Sequence, residues 1–385
     1  MSQTEVQLIK ADAVQTADIA NSAVTDAKIS ALTSSKLTGA LPAISGASLT
    51  NLPTPTAKAK NLIINGDFRI AQRGTSSTSN GYKTNDRWAN YSGSHGTTVT
   101  FSQQSTVSSD TPYQNGFSNF FRFALSGAGT ANAGAYLELM QTIEAQNIAN
   151  SGWNFKSSSS NITVSFWLRA STNQTFYGFL RTYDGSAYVY AFSFTASGNN
   201  TWTKITKTIP GNSNLQFDNN NLHGLQIMLT PFFGTTYTNN RTLNTWNALD
   251  SANYFPDMAS TWLTAGASTF DITGVQIEVG SVATDFEHMS FGEQIKLCER
   301  YYQKIDSAET TGNASHAYLY RQAIPFRTEM RATPTFNSST FGSDSGTATP
   351  SAWSSGGYLT NLGAGATVGS QTHAIIGRAL LEAEL

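Results

Sequence analysis

The sequence predicts a mainly β protein: a jelly-roll β-sandwich on an N-terminal repetitive stem, followed by one helix and a small C-terminal β region. Three observations predict it. Of 385 residues, 39% are hydrophobic, 11% aromatic and only 12% charged, against a usual charged share of about 25%. Ser, Thr, Asn and Gly carry the polarity instead, and β-branched and aromatic side chains suit a pleated, half-buried surface. Between 58 and 288, short runs of period-two alternation are separated by Gly and Asn turns, the pattern of a sandwich or jelly roll. Residues 1–57 hold a degenerate repeat of period about ten.

The stem comes first in the chain. Ala13-Val14-Gln15-Thr16-Ala17-Asp18-Ile19 is echoed by Ala23-Val24-Thr25-Asp26-Ala27-Lys28-Ile29 and, more loosely, by Leu32-Thr33-Ser34-Ser35-Lys36-Leu37. Neither a heptad nor strict alternation fits. One unit is too small to bury its own apolar face, and there are too few copies to stack alone. Partner chains are the expected source of a core, and three identical chains around an axis would close the assembly as a homotrimer. The alternative is a disordered leader rich in Ala, Ser and Thr. Pro53 and Pro55 mark a semi-rigid linker, with a domain boundary at 57.

In the second zone, 58–288, the clearest strand is Asn161 to Ala170. Ile162, Val164, Phe166 and Leu168 point one way, and Thr163, Ser165, Trp167 and Arg169 the other. Thr175 to Tyr183 follows, then the hairpin signal Asp184-Gly185, then a return over Tyr188 to Thr195. Further strands are expected at 97–103, 119–126, 134–142, 201–209, 223–230 and 268–279. The third zone, 289–385, opens on Ser290-Phe291-Gly292-Glu293, a capping box. A stripe of Phe291, Ile295, Cys298, Tyr302 and Ile305 follows at helical spacing. The end of the chain, from Ala374 to Leu385, reads as a strand.

Net charge is -2 and Lys and Arg are scattered singly. The basic stripe of a nucleic-acid binder is missing. No run of about 18 apolar residues predicts membrane insertion, and the start lacks the pattern of a signal peptide, so synthesis in a cytosol is expected. A lone cysteine, Cys298, rules out an intrachain disulfide and a multi-Cys zinc site.

Several motifs, in order, resemble phage tail fibre proteins with a carbohydrate-binding jelly-roll module. They are the stem repeat Ala23–Ser30, the link Ile44–Pro53, the segment Asn61–Phe68 as a first strand, Gln72-Arg73-Gly74, Asp86-Arg87-Trp88 and Ser165-Phe166-Trp167. Gly274–Gly280 with Ala283–His288, Cys298–Tyr302, Met330–Thr335 and Ala383-Glu384-Leu385 complete the set. The resemblance implies a trimeric virion fibre, made in a host bacterial cytoplasm. Its N-terminus would join tail or baseplate proteins, and it would attach to a host surface polysaccharide. Such modules often hold a structural calcium, for which Asp67 and Asp271 are the candidates here. Arg69 stands where the pattern is often acidic, which counts against that ion.

A sugar site needs flat rings plus polar groups on an open surface. If the strands carrying them pair, Trp167, Arg169, Tyr177 and Arg181 form one patch. Tyr237, Trp246, Tyr254 and Trp262, in a long loop region, are a second candidate. No nucleophile elbow, metal-binding His pair or phosphate loop occurs, so no catalytic residue is assigned. Rival expectations are a fibre-borne polysaccharide depolymerase and a purely structural fibre or collar component.

Overall fold

A computed structural model describes residues 61–305, 308–313, 326–336, 340–343, 347–352, 359–363 and 371–385. The chain divides into the units Met1–Thr56 and Ala57–Leu385. The stem, its repeat and the homotrimer expected from it lie outside the described residues.

The strands and helices of the first part are, in chain order, β1 (Ser76–Ser77), β2 (Ala89–Gly93), β3 (Val99–Ser105), α1 (Thr111–Gln114), β4 (Asn119–Leu125), β5 (Tyr136–Glu144), α2 (Ala145–Ala149), β6 (Asn161–Ala170), β7 (Asn173–Thr182), β8 (Tyr188–Ser197), β9 (Thr203–Pro210), β10 (His223–Phe233), β11 (Trp246–Ala248), α3 (Thr261–Thr264) and β12 (Thr269–Val279). They form two antiparallel six-stranded sheets. The first has the order β1-β3-β4-β12-β6-β9 and the second β11-β8-β7-β10-β5-β2.

Side chains alternate along the strands, and one apolar set of most of them faces the other sheet. Ile162, Val164, Phe166 and Leu168 of β6 enter one core with Phe121 and Phe123 of β4, Leu137 and Leu139 of β5, Phe176 of β7 and Phe192 and Phe194 of β8. The core is rich in aromatic residues, many of whose rings meet edge to face, as for Phe166 and Phe194 at 5.1 Å and 86°, the arrangement their quadrupoles favour. The hairpin expected at Asp184-Gly185 joins β7 to β8, and Gly185 takes φ 62°.

The segment 61–68, expected as a first strand, is instead a run of turns. Asn65 and Phe68 adopt φ of 57° and 55°, left-handed backbone that a strand does not use. The Asn65 side chain holds the turn by donating to the carbonyls of Ile70 and Asp86 and accepting from the Ile70 amide. The segment still lies along β12, where the Leu62 amide donates to the Ile277 carbonyl at 2.8 Å.

The third zone has α4 (Phe291–Glu299), β13 (Tyr302–Ile305), β14 (Ala308–Asn313), β15 (Thr335–Phe336), β16 (Thr340–Ser343), β17 (Thr347–Ala352), β18 (Leu359–Gly363) and β19 (Gln371–Glu382). Strands β13 to β16 all pair with β19, and β17 with β18. The Ser290–Glu293 capping box forms as expected. The helix is shorter than its apolar stripe, however. It ends at Glu299, Tyr302 begins a strand, and Phe291 is 55% exposed.

The expected boundary at 288/289 is bridged by buried polar contacts. Arg300 makes a two-pronged ion pair with the fully buried Glu144 at the end of β5, at 2.7 and 2.9 Å, and the Tyr301 hydroxyl donates to the same carboxylate at 2.5 Å. Arg87 is wholly buried, lies over the Tyr301 ring at 3.4 Å and pairs with Glu384. The residues that carry the resemblance, from Asn65 and Asp86-Arg87-Trp88 to Arg300-Tyr301 and Glu384, thus meet at one junction.

Candidate functional site

Trp167, Arg169, Tyr177 and Arg181 do not form one patch, because β6 and β7 belong to different sheets. The turn between them is a crossover from one sheet to the other and not a hairpin. A two-sheet sandwich makes such crossovers, and local sequence does not distinguish the two.

Arg169 is committed within its sheet. Asp271 on β12 sits directly opposite Arg122 of β4 on one side and Arg169 of β6 on the other. Its two oxygens accept from Arg122 at 2.7 and 2.8 Å and from Arg169 at 2.8 Å. Phe120 and Trp202 cover the Arg169 guanidinium at 4.9 and 4.4 Å. This is a cross-strand clamp. The calcium expectation at Asp67 and Asp271 therefore fails on geometry. Asp271 spends its lone pairs on arginines, while Asp67 accepts from Gln294 at 2.7 Å and lies 3.4 Å from Arg69. The two share no partner, and no cluster of three or more His, Cys, Asp or Glu side chains occurs among the described residues.

Trp167 is half-buried in a pocket of about 310 Å³ with Phe117, Lys204, Phe286 and His288. The rings of Phe117, Phe286 and His288 meet one another edge-on or tilted at 4.9–5.0 Å. Glu287 and His288 hold the chain exit: Glu287 accepts from the Asn61 amide at 2.7 Å and the His288 ring meets the Asn115 carbonyl at 3.0 Å.

Two members of the loop set are structural. Trp246 lies on β11, is 8% exposed, and donates to the Pro210 carbonyl at 2.7 Å. Trp262 is fully buried against Phe176 and Phe270.

Tyr237 and Tyr254 behave differently. The loop after β10 folds back over the outer face of the second sheet, where the Tyr254 amide donates to the Tyr237 carbonyl at 2.8 Å and Thr238 bridges to Phe255. Phe255 and Phe179 form a small second apolar cluster there, with Tyr177 against Phe255 at 5.5 Å and Tyr254 stacked on Phe179 at 5.2 Å. Tyr177 is therefore part of the floor supporting the loop.

Beside this cluster lies a groove of about 300 Å³ lined by Tyr91, Tyr136, Glu138, Phe233, Tyr237 and Tyr254. Strand period sets its composition. Leu137 and Leu139 of β5 face the core, so Tyr136 and Glu138 face out. Tyr91 of β2 stands directly opposite Glu138, and Phe233, past a bulge in β10, opposite Tyr136. Gly93 leaves room for this: a Cβ at 93 would come within 2.7 Å of the Tyr136 ring, which lies across β2 and would have to shift.

Glu138 is the one carboxylate among the lining residues. Burial pushes its carboxyl up to about 7, and no described residue offers it a hydrogen bond or ion pair. The hydroxyls of Tyr91 and Tyr136 are raised by burial and then by the Glu138 charge. Arg181 is a strand further along the face, over the Tyr183 ring at 4.5 Å, with an Nε that finds no partner. Rings with a few polar groups on an accessible face can stack against C–H surfaces and accept hydrogen bonds. The groove holds one carboxylate among its lining residues, where most glycosidases use a pair.

Of the groove residues, Tyr237 and Tyr254 were marked by their loop. Tyr91, Tyr136, Glu138 and Phe233 were not. The available signal was Glu138 itself, an acidic residue beside Tyr136 on one face of an expected strand.

No helix among the described residues is long and apolar enough to cross a membrane. No protein-family profile matches the chain, and no curated protein matches it. Similar solved structures include the enzymatically active domain of tailspike protein 4 from bacteriophage CBA120, at 12% identity over 57% of this chain and 21% of that one, TM-score 0.30. A second is the N-terminal cellulose-binding domain of a Cellulomonas fimi β-1,4-glucanase, at 12% over 56% and 99%, TM-score 0.28. A third is the family 11 carbohydrate-binding module of a Clostridium thermocellum cellulosomal cellulase, at 13% over 56% and 98%, TM-score 0.26. The chain spans about a fifth of the length of the tailspike domain.

Proposed function

We propose that this protein binds a glycan without cleaving it, as the receptor-binding part of a phage tail fibre. The groove over β5 meets the polysaccharide of a bacterial surface. The repeat in 1–57 gathers three chains and joins them to tail or baseplate proteins. The observation that carries the glycan reading is the groove: four tyrosines and a phenylalanine around a single carboxylate, on a face built by rigid strands. The fibre role rests on the sequence resemblance. Weak single sites suffice, since three linked copies raise avidity through effective concentration.

A glycan array probed with the whole chain tests this. The expected result is binding to one class of bacterial polysaccharide, lost in the double variant Tyr91→Ala/Tyr237→Ala while circular dichroism shows the fold intact. Binding that survives the double variant overturns the site, and shortening of the bound polysaccharide overturns the non-catalytic assignment. Sedimentation of the same preparation should give the trimer mass; a monomer would refute the role given to the stem.

A further inference from the structure

We propose that the groove selects a positively charged sugar, an amino sugar whose ammonium group seats against Glu138 between the tyrosine rings. The inference rests on the glycan reading above and names its ligand class.

Ring geometry comes first. Tyr136 and Tyr237 meet at 6.1 Å and 84°, and Phe233 and Tyr254 at 6.1 Å and 63°. A flat pyranose stacks best on a platform of coplanar rings. Rings at steep angles make a corner with several walls, the arrangement that encloses a compact cation, because ring faces carry negative potential.

Charge points the same way. Glu138 makes no hydrogen bond or ion pair with any described residue. The neighbouring arginine, Arg181, lies over the Tyr183 ring and does not line the groove. Every group lining the groove is therefore aromatic or acidic. An anionic sugar would meet a like charge. A neutral sugar offers the carboxylate hydroxyl hydrogen bonds but no counter-charge. An ammonium group supplies one and gains the ring faces as well. The rise in the Glu138 pKa fits a carboxylate that lacks such a partner.

The test compares two probes that differ at one group, the β-1,4-linked glucosamine trisaccharide and its fully N-acetylated counterpart, by calorimetric titration of the whole chain. Acetylation removes the charge and keeps the ring. The free amine should bind roughly tenfold or more tightly, and Glu138→Gln should bring the ratio of the two affinities close to one. Equal affinities for both in the unaltered protein overturn the charge selection and leave the glycan reading standing. The charge selection also fails if neither trisaccharide binds while array binding persists and is lost in Tyr91→Ala/Tyr237→Ala. Array binding indifferent to that double variant removes the glycan reading itself.

Discussion

Glu138 is half-buried on a face where its strand neighbours are Tyr91 and Tyr136, and burial pushes its carboxyl up to about 7. An unfolded glutamate titrates near ~4.3. The folded protein therefore holds an extra proton between roughly pH 4 and 7, and the residue's contribution to stability falls as pH rises through that window. Asp86, pushed up to about 6 chiefly by burial, acts in the same sense. Glu144 acts in the opposite sense: burial raises its carboxyl, but the hydrogen bonds of Arg300 and Tyr301 more than offset that and hold it below its usual value. The whole-protein pH curve mixes all three, so the difference between the unaltered chain and Glu138→Gln is the clean readout. Urea denaturation should show the variant more stable above pH ~7, on the order of 2 kcal/mol, with the two converging near pH ~4. Curves that stay parallel across that range would mean Glu138 is solvated. The facing groups, Tyr91 on β2, Tyr136 on β5, Tyr183 and Arg181 by β7 and Tyr254 in the loop, are unchanged in both proteins.

Elements were far easier to read in the sequence than their neighbours in space. Strands expected at 119–126, 161–170 and 268–279 correspond closely to β4, β6 and β12, because alternation in a strand with one buried face is a local property. Which strand pairs with which is not local. β6 and β7 are consecutive, yet β6 lies between β12 and β9 while β7 lies between β10 and β8, and this alone dissolved the patch of Trp167, Arg169, Tyr177 and Arg181. Exact cross-strand register was equally hidden. Asp271 looks like a free oxygen ligand until β4 and β6 bring Arg122 and Arg169 to either side of it. Bulges add to the difficulty. Gly274 sits where β12 shifts register against β6, takes φ 64°, and would bring a Cβ to within 2.7 Å of the Phe117 ring. Helix α4 shows the reverse case. Its capping box is local and was legible, whereas its end is set by the chain turning into β13 to pair with β19.

Across the molecule, the groove and the junction divide the labour. Several of the motifs that resemble tail fibres, Asp86-Arg87-Trp88, Cys298–Tyr302 and Ala383-Glu384-Leu385, meet at the junction, while none of the groove residues belongs to the motif set. The junction also decides whether the C-terminal segment is a separate body. Glu384 reaches back to Arg87 and Arg73, and Arg331 donates to the carbonyls of Ala383, Glu384 and Asn221. Arg87 is wholly buried, so removing its partner leaves a charge with no counter-ion in the interior. Glu384→Ala is accordingly expected to destabilise the protein by about 3–5 kcal/mol. An apolar replacement of both partners, Arg87→Met/Glu384→Leu, should recover the part of that loss due to Arg87, while the buried Arg73 keeps only Glu382 as a counter-ion. Calorimetry distinguishes the two architectures. If the sandwich and the end of the chain fold as one unit, Glu384→Ala lowers a single transition. If they are independent bodies, a small low-temperature transition separates while the main one stays in place, and the junction is then a contact surface and not a shared core.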